Sequence, residues 1–252
     1  MLKASLNDSC THCIFCGELK NESPSWSTLL PLAPPSLLCE RCNNELEEIT
    51  EPGCTLCSRP LLEKKRCEDC ARWEEDPNWE GVLDHNQSLY RYNAHMQEII
   101  AKWKYRGDAV LALIFSENIR QLYLRTYTDY IPVPIPLSSK RLQERGFNQS
   151  QLLADFTNTR QKWWKRKSLL PVTSFLERTL HEEKQSKKSR RERLASKQNP
   201  FHLSSSTEIS ISSKKFVLFD DIYTTGTTVR KAAQRLKEQG ASKVCSITLA
   251  RG

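Results

Sequence analysis

Long apolar runs are missing from this sequence. No stretch approaches the roughly 18 apolar residues that a membrane span needs. The opening segment MLKASLNDSC also lacks the apolar centre of a signal peptide. The expectation is a soluble, cytoplasmic protein. The same absence bears on the ten cysteines. A disulfide scaffold belongs to an oxidising compartment, so without an export signal closely paired cysteines point to metal. No thioredoxin-like βαβ pattern accompanies the Cys-x-x-Cys pairs, which argues against redox chemistry. Apolar residues are not abundant: 38% of the 252 residues are hydrophobic and 27% are charged. That composition supports a packed core, and the length suits a metal module followed by one α/β domain.

Charge is unevenly spread. Residues 1–81 hold 8 Lys/Arg against 15 Asp/Glu, a net of −7, and residues 82–252 hold 30 against 15, a net of +15. The basic excess of the second part suits an anionic partner, either nucleic acid or a phosphorylated metabolite. A solvated surface accounts for the same charge. Residues 160–200 concentrate it, with 13 Lys/Arg against 4 Asp/Glu and little apolar periodicity. The segment reads as a mobile, solvated loop or a frayed helix.

Nine of the ten cysteines fall between Cys10 and Cys70. They pair as Cys10/Cys13/Cys16, Cys39/Cys42, Cys54/Cys57 and Cys67/Cys70. Two intervening residues let both thiolates of a pair reach one ion, and two such knuckles complete a tetrahedral site. The simplest grouping places Cys13, Cys16, Cys39 and Cys42 on one Zn²⁺. Cys54, Cys57, Cys67 and Cys70 then hold a second. Cys10 is left spare, His12 reads as a bystander, and an iron–sulfur cluster is an alternative use of four thiolates. All-cysteine coordination leaves no open position, so the metal is read as structural. Cys245 sits alone in the apolar run VCSITLA and reads as a small buried hydrophobe.

After Gly81 the pattern becomes α/β. VLDHNQSLYRY predicts a strand with a turn or a strand pair. AHMQEIIAKWKY predicts a helix that buries Met96, Ile99, Ile100 and Trp103 and closes at Gly107. AVLALIFSENIRQLYLRTY reads as a second helix. YIPVPIP reads as a short strand entering a proline-rich loop. SQLLADFTNT reads as a helix starting near Asn148 or Ser150. KKFVLFDD predicts a buried strand, IYTTGTTV a loop, VRKAAQRLKEQGA a helix ending at Gly240, and KVCSITLA a final strand. That order is a βαβ unit of a parallel sheet. The expected organisation is a cysteine-rich zinc-binding domain at 1–80 and a parallel-sheet α/β domain at 82–252, with a mobile basic loop at about 160–200.

The most informative run is Asp220-Asp221-Ile222-Tyr223-Thr224-Thr225-Gly226-Thr227-Thr228. An apolar strand delivers two carboxylates where α/β sheets place ligands. The loop after them offers hydroxyls, backbone N–H groups and a helix N-terminus, which together form an anion cradle. Carboxylates beside such a cradle need another task, and ribose hydroxyls supply it, bound directly or through Mg²⁺.

This run resembles the signature by which type I phosphoribosyltransferases bind phosphoribosyl diphosphate (PRPP). The resemblance implies that Asp220 and Asp221 bind the ribose hydroxyls or their magnesium, and that Thr224, Thr225, Gly226, Thr227 and Thr228 wrap the 5′-phosphate. Some purine-base enzymes of that family carry a third acid where Thr224 stands, so a purine-salvage reaction loses support. Two further segments narrow the likeness. Val133-Pro134-Ile135-Pro136 precedes Lys140-Arg141 and Arg145-Gly146-Phe147-Asn148-Gln149, and Gln185 precedes Arg190, Arg193, Asn199 and Phe201. With the cysteine-rich head, the whole chain is similar to the ComF family of competence proteins. One departure is Glu182, where that family usually has threonine.

Lys140, Arg141 and Arg145 follow a strand end and are expected to face the diphosphate, because arginine forks suit phosphate oxygens. Arg190 and Arg193 occupy the place of the hood that closes over the active site in related transferases. The resemblance implies a role in natural transformation, in the uptake or processing of single-stranded DNA. Trp163 and Trp164, with Lys187, Lys188, Arg190 and Arg191, are candidates for stacking on bases and tracking a phosphate backbone. A transferase acting on an unknown acceptor and a gluconate-utilisation-type paralogue are the alternatives. A third class is an interaction module, whose acidic head docks a competence helicase or the basic domain itself.

Overall fold

The computed structural model describes residues 11–20, 36–50, 52–105, 108–158, 169–178, 199–204 and 210–252. In chain order the elements are α1 (Glu40–Asn44), α2 (Glu68–Glu75), β1 (His85–Arg91), α3 (Ala94–Tyr105), a 3-10 helix (Ala109–Phe115), α4 (Ser116–Thr126), β2 (Ile131–Pro134), α5 (Ser139–Arg145), α6 (Gln149–Asp155), a 3-10 turn (Phe156–Asn158), β3 (Leu176–Arg178), β4 (Phe201–Leu203), β5 (Lys215–Tyr223), α7 (Thr227–Lys237) and β6 (Lys243–Arg251).

Four strands form a wholly parallel sheet in the order β1-β6-β5-β2. Both faces are covered, which explains why β5 and β6 read as near-continuous apolar runs. Val217, Phe219, Cys245, Ile247 and Leu249 share one core with Met96, Ile99 and Trp103 of α3 and Ile119 of α4. Phe216, Leu218 and Val244 share the other with Val229, Ala232, Ala233 and Leu236 of α7. Cys54, Cys57, Cys67 and Cys70 belong to that same second core, so this cysteine cluster is packed into the α/β body. Pro132 and Pro134 each remove a ladder donor, and β2 is accordingly an edge strand. The opposite edge, β1, is partly covered by the chain around Glu48. Ile49 donates to Leu89 O at 2.9 Å and Arg91 to Glu47 O at 2.8 Å.

Several elements differ from the expectation. VLDHNQSLYRY forms a single strand, β1. The second helix begins as a 3-10 segment before becoming α-helical at Ser116. Lys140, Arg141 and Arg145 lie on a short helix, α5, capped by Gly146 in the left-handed region at φ 77°. Strand β5 continues through Ile222 and Tyr223, because β6 pairs with it as far as Arg251. The phosphate-type loop is therefore shorter than the sequence suggests. Part of the segment 160–200 is also structured. Phe175 packs edge-on against Phe216 at 5.2 Å, and β3 pairs antiparallel with β4. The apolar residues Phe175, Leu176 and Phe201 are buried and hold this ribbon to the sheet, although the segment's average composition is basic. Asn148 caps α6 as expected, accepting from Ser150 N. No helix among the described residues is long and apolar enough to cross a membrane.

Candidate functional site

The acidic pair lies near the carboxyl end of β5, where the strand stops pairing and the chain turns into α7. Asp220, Ile222 and residues Tyr223 to Val229 line a cleft of about 300 Å³, counted with its solvent-open part. Gly226 occupies the left-handed region at φ 79° and forms the N-cap of α7. A Cβ there would collide with the Tyr223 hydroxyl and with Arg230, so the position requires glycine. Thr225 and Thr227 are buried, and their hydroxyls bond each other at 2.8 Å. These two side chains frame the loop. Thr224 and Thr228 are half-buried and line the cleft.

Alternation along β5 sends the two carboxylates to opposite sides. Asp221 forms an ion pair with Lys104, which α3 delivers at its last turn. Asp220 accepts from Ser150 Oγ at 3.4 Å. Their ionisation divides accordingly. Burial, and then the neighbouring Asp221 charge, pushes the Asp220 carboxyl up to about 8. Burial also works against Asp221, but the charge and hydrogen bond of Lys104 bring it below the usual carboxylate value. Arg145 lies within electrostatic range of both aspartates and donates to Gln149 Oε1 at 2.9 Å.

Of the expected diphosphate residues, only Arg145 approaches the acidic pair. Lys140 is exposed and Arg141 half-exposed on α5, and no ion pair among the described residues joins either to Asp220 or Asp221. Arg190 and Arg193, with Trp163, Trp164, Lys187, Lys188 and Arg191, lie outside the described residues, as does Cys10. The sequence reading missed Lys104. Its neighbour Trp103 carries the apolar pattern, so the lysine one residue on reads as solvated surface.

Two cysteine clusters form as grouped from spacing. The sulfurs of Cys13, Cys16, Cys39 and Cys42 lie within 4.8 Å of one another, as do those of Cys54, Cys57, Cys67 and Cys70. Backbone N–H groups of Leu56 and Cys67 point at Cys54 Sγ at 3.5 and 3.3 Å, which favours a thiolate. Hydrogen bonds from the Cys57 and Cys70 thiols draw Cys54 further down, against burial. Four converging sulfurs of this kind fit a tetrahedral Zn²⁺. The first cluster sits on α3: Phe15 meets His95 edge-on at 4.9 Å, and Lys102 Nζ donates to Phe15 O at 3.1 Å.

Residues 171–252 match the family model described as "Phosphoribosyl transferase domain". The chain is 36% identical over 242 residues to Competence protein ComFC of Bacillus subtilis (strain 168), across 95% of this chain and 94% of that protein. It is 33% identical to Competence protein ComFC of Streptococcus pneumoniae (strain ATCC BAA-255 / R6), across 95% and 99%. Competence protein F of Haemophilus influenzae (strain ATCC 51907 / DSM 11121 / KW20 / Rd) is 25% identical, across 85% and 90%. At this identity, and with nearly the full length aligned, the cysteine clusters and the phosphoribosyltransferase-type sheet fall within one shared chain, and the protein belongs to the ComFC family of competence proteins.

Proposed function

We propose that this protein is a cytoplasmic competence factor that binds PRPP in the cleft beside β5 and handles single-stranded DNA during natural transformation. The observation that carries the ligand assignment is the acidic pair at the carboxyl end of β5, beside a loop that runs into the N-terminus of α7. In this reading the loop from Thr224 to Thr228 receives the 5′-phosphate on its backbone N–H groups and on the hydroxyls of Thr224 and Thr228. Asp220 and Asp221 take the ribose hydroxyls. Lys104 and Arg145 face the diphosphate, and Lys140 and Arg141 approach from the solvent side; Arg190 and Arg193 are further candidates for the same charge. Asp220 and Asp221 would hold a Mg²⁺ ion arriving with PRPP, and that ion would offset the negative charge of the ligand. The two cysteine centres hold structural zinc.

The DNA role draws on the competence relatives and on the net charge of +15 beyond residue 81, from 30 Lys/Arg against 15 Asp/Glu. The acidic cysteine-rich segment is the face offered to a DNA-processing partner such as a helicase. Calorimetric titration of the zinc-loaded chain with PRPP, with and without Mg²⁺, tests the ligand assignment. Binding that strengthens with Mg²⁺ and disappears in the Asp220→Ala/Asp221→Ala variant is expected. A folded double variant with wild-type affinity refutes the site.

A further inference from the structure

Three buried side chains, Trp73, Arg230 and Arg251, join the second cysteine centre to the back of the phosphate-type loop. Arg251, at the end of β6, donates from Nη1 to the carbonyl oxygens of Tyr223 at 3.1 Å and Thr224 at 3.0 Å. Its Nη2 donates to Cys57 Sγ at 3.4 Å. Trp73 lies on α2, three residues after Cys70, and donates its indole N–H to Thr225 O at 2.9 Å. Three successive carbonyls are thus held from the cysteine side. In a planar trans peptide the N–H points opposite to the C=O, and the chain contains no cis peptide among its described residues. The N–H groups of Thr224, Thr225 and Gly226 are thereby turned away from the cysteine centre, toward the side that an anion would occupy.

Arg230 is the third residue. It is 0% exposed, stacks on Trp73 with its guanidinium 4.8 Å from the ring, and donates to the Tyr223 hydroxyl at 2.5 Å. Its Nε and Nη2 have no hydrogen-bond partner among the described residues. A buried cation in the first turn of a helix opposes the helix dipole and needs negative charge nearby. Four thiolates around a divalent ion leave a net negative charge on one side, and a bound phosphate supplies it on the other.

We propose that Trp73 and Arg251 are positioning residues through which the second cysteine centre holds the loop in its phosphate-receiving conformation, so that losing metal from that centre weakens binding of a 5′-phosphomonoester. The proposal rests on the cleft taking PRPP.

The test uses the full chain, with zinc quantified by release to a colorimetric chelator and affinity for ribose 5-phosphate and PRPP measured by calorimetry. Trp73→Phe keeps an aromatic ring beside Arg230 and loses the donor. Arg251→Met keeps the bulk and loses these three donations together with a fourth, to Gly252 O. Each is expected to weaken both ligands about tenfold, the scale of one charge-linked hydrogen bond, with zinc content and thermal midpoint near wild type. Arg251→Lys is expected to fall between Met and wild type. Cys57→Ser, which depletes the second centre, is expected to lose a similar factor, and adding Arg251→Met to it should cost little more. Wild-type affinity in Trp73→Phe and Arg251→Met overturns the relay, as does a double variant whose losses multiply. If Cys57→Ser fails to fold, the two zinc-replete variants decide alone. Absence of binding by wild type itself removes the PRPP reading, and the relay with it. Binding by wild type that is lost in Asp220→Ala, but unaltered in the Trp73 and Arg251 variants, removes the relay only.

Discussion

Asp220 and Asp221 are adjacent in sequence, yet the fold gives them opposite electrostatics. Asp221 meets Lys104, whereas Asp220 has the Ser150 hydroxyl and its own neighbour's charge. The consequence for stability has a definite sign. The Asp220 carboxyl rises from an ordinary 3.8 to about 8 in the fold. Between those values the native state holds a proton that the unfolded chain has released, so this residue's contribution to stability falls as pH climbs from about 4 to about 8. Asparagine at 220 has no such proton. The thermal midpoint of Asp220→Asn, minus that of wild type, should grow across this window and level off above about pH 8. A ligand-free pH series on both proteins measures it, and a difference that shrinks with pH contradicts the assignment. The acidic pair itself was legible because two carboxylates and four threonines after an apolar strand have few structural uses. Lys104 was not, because what brings it to Asp221 is the approach of α3 to β5, which no local pattern encodes.

At the scale of elements, the two cysteine centres were equally plain in the spacing but are unequal in their surroundings. All four cysteines of the second centre are buried and share a core with Phe216, Leu218 and Val229. In the first centre Cys16 and Cys39 are only half-buried, and that cluster touches the body mainly through Phe15, Ile14 and Leu46. A chelator reaches a metal through its exposed ligands, so the two ions should leave at different rates. We expect two equivalents of zinc per chain, with a fast equivalent lost from Cys13/Cys16/Cys39/Cys42 and a slow one from Cys54/Cys57/Cys67/Cys70. Release followed with a chromogenic chelator in wild type and in Cys16→Ser checks this, because the variant should lose the fast phase. A single phase in wild type would refute the ordering. Spacing could identify the cysteine pairs, but their unequal burial depends on the long-range packing of α2 against the loop after β5. The same limit applies to β3 and β4. Three-residue strands within and just after a basic segment carry too little periodicity to be recognised, and Phe175 and Phe201 matter only once the sheet provides a surface for them.

For the whole molecule, the question is whether the charge of the second part acts locally or as a diffuse field. The net of +15 beyond residue 81, from 30 Lys/Arg against 15 Asp/Glu, would attract any polyanion, but a diffuse field and a defined track respond differently to mutation. Each phosphate neutralised on a single strand contributes about −0.7 to the slope of log affinity against log salt concentration. If Lys187, Lys188, Arg190 and Arg191 track a strand, reversing all four to glutamate should flatten that slope for an oligothymidine by about 3. Trp163→Ala and Trp164→Ala remove stacking rather than charge. They should weaken binding by about 1–3 kcal/mol per base lost while leaving the slope intact. The two signatures separate an electrostatic track from an aromatic platform. A slope unchanged by the four reversals would assign the attraction to the field of the domain as a whole, and the basic segment would then have no specific place in DNA handling.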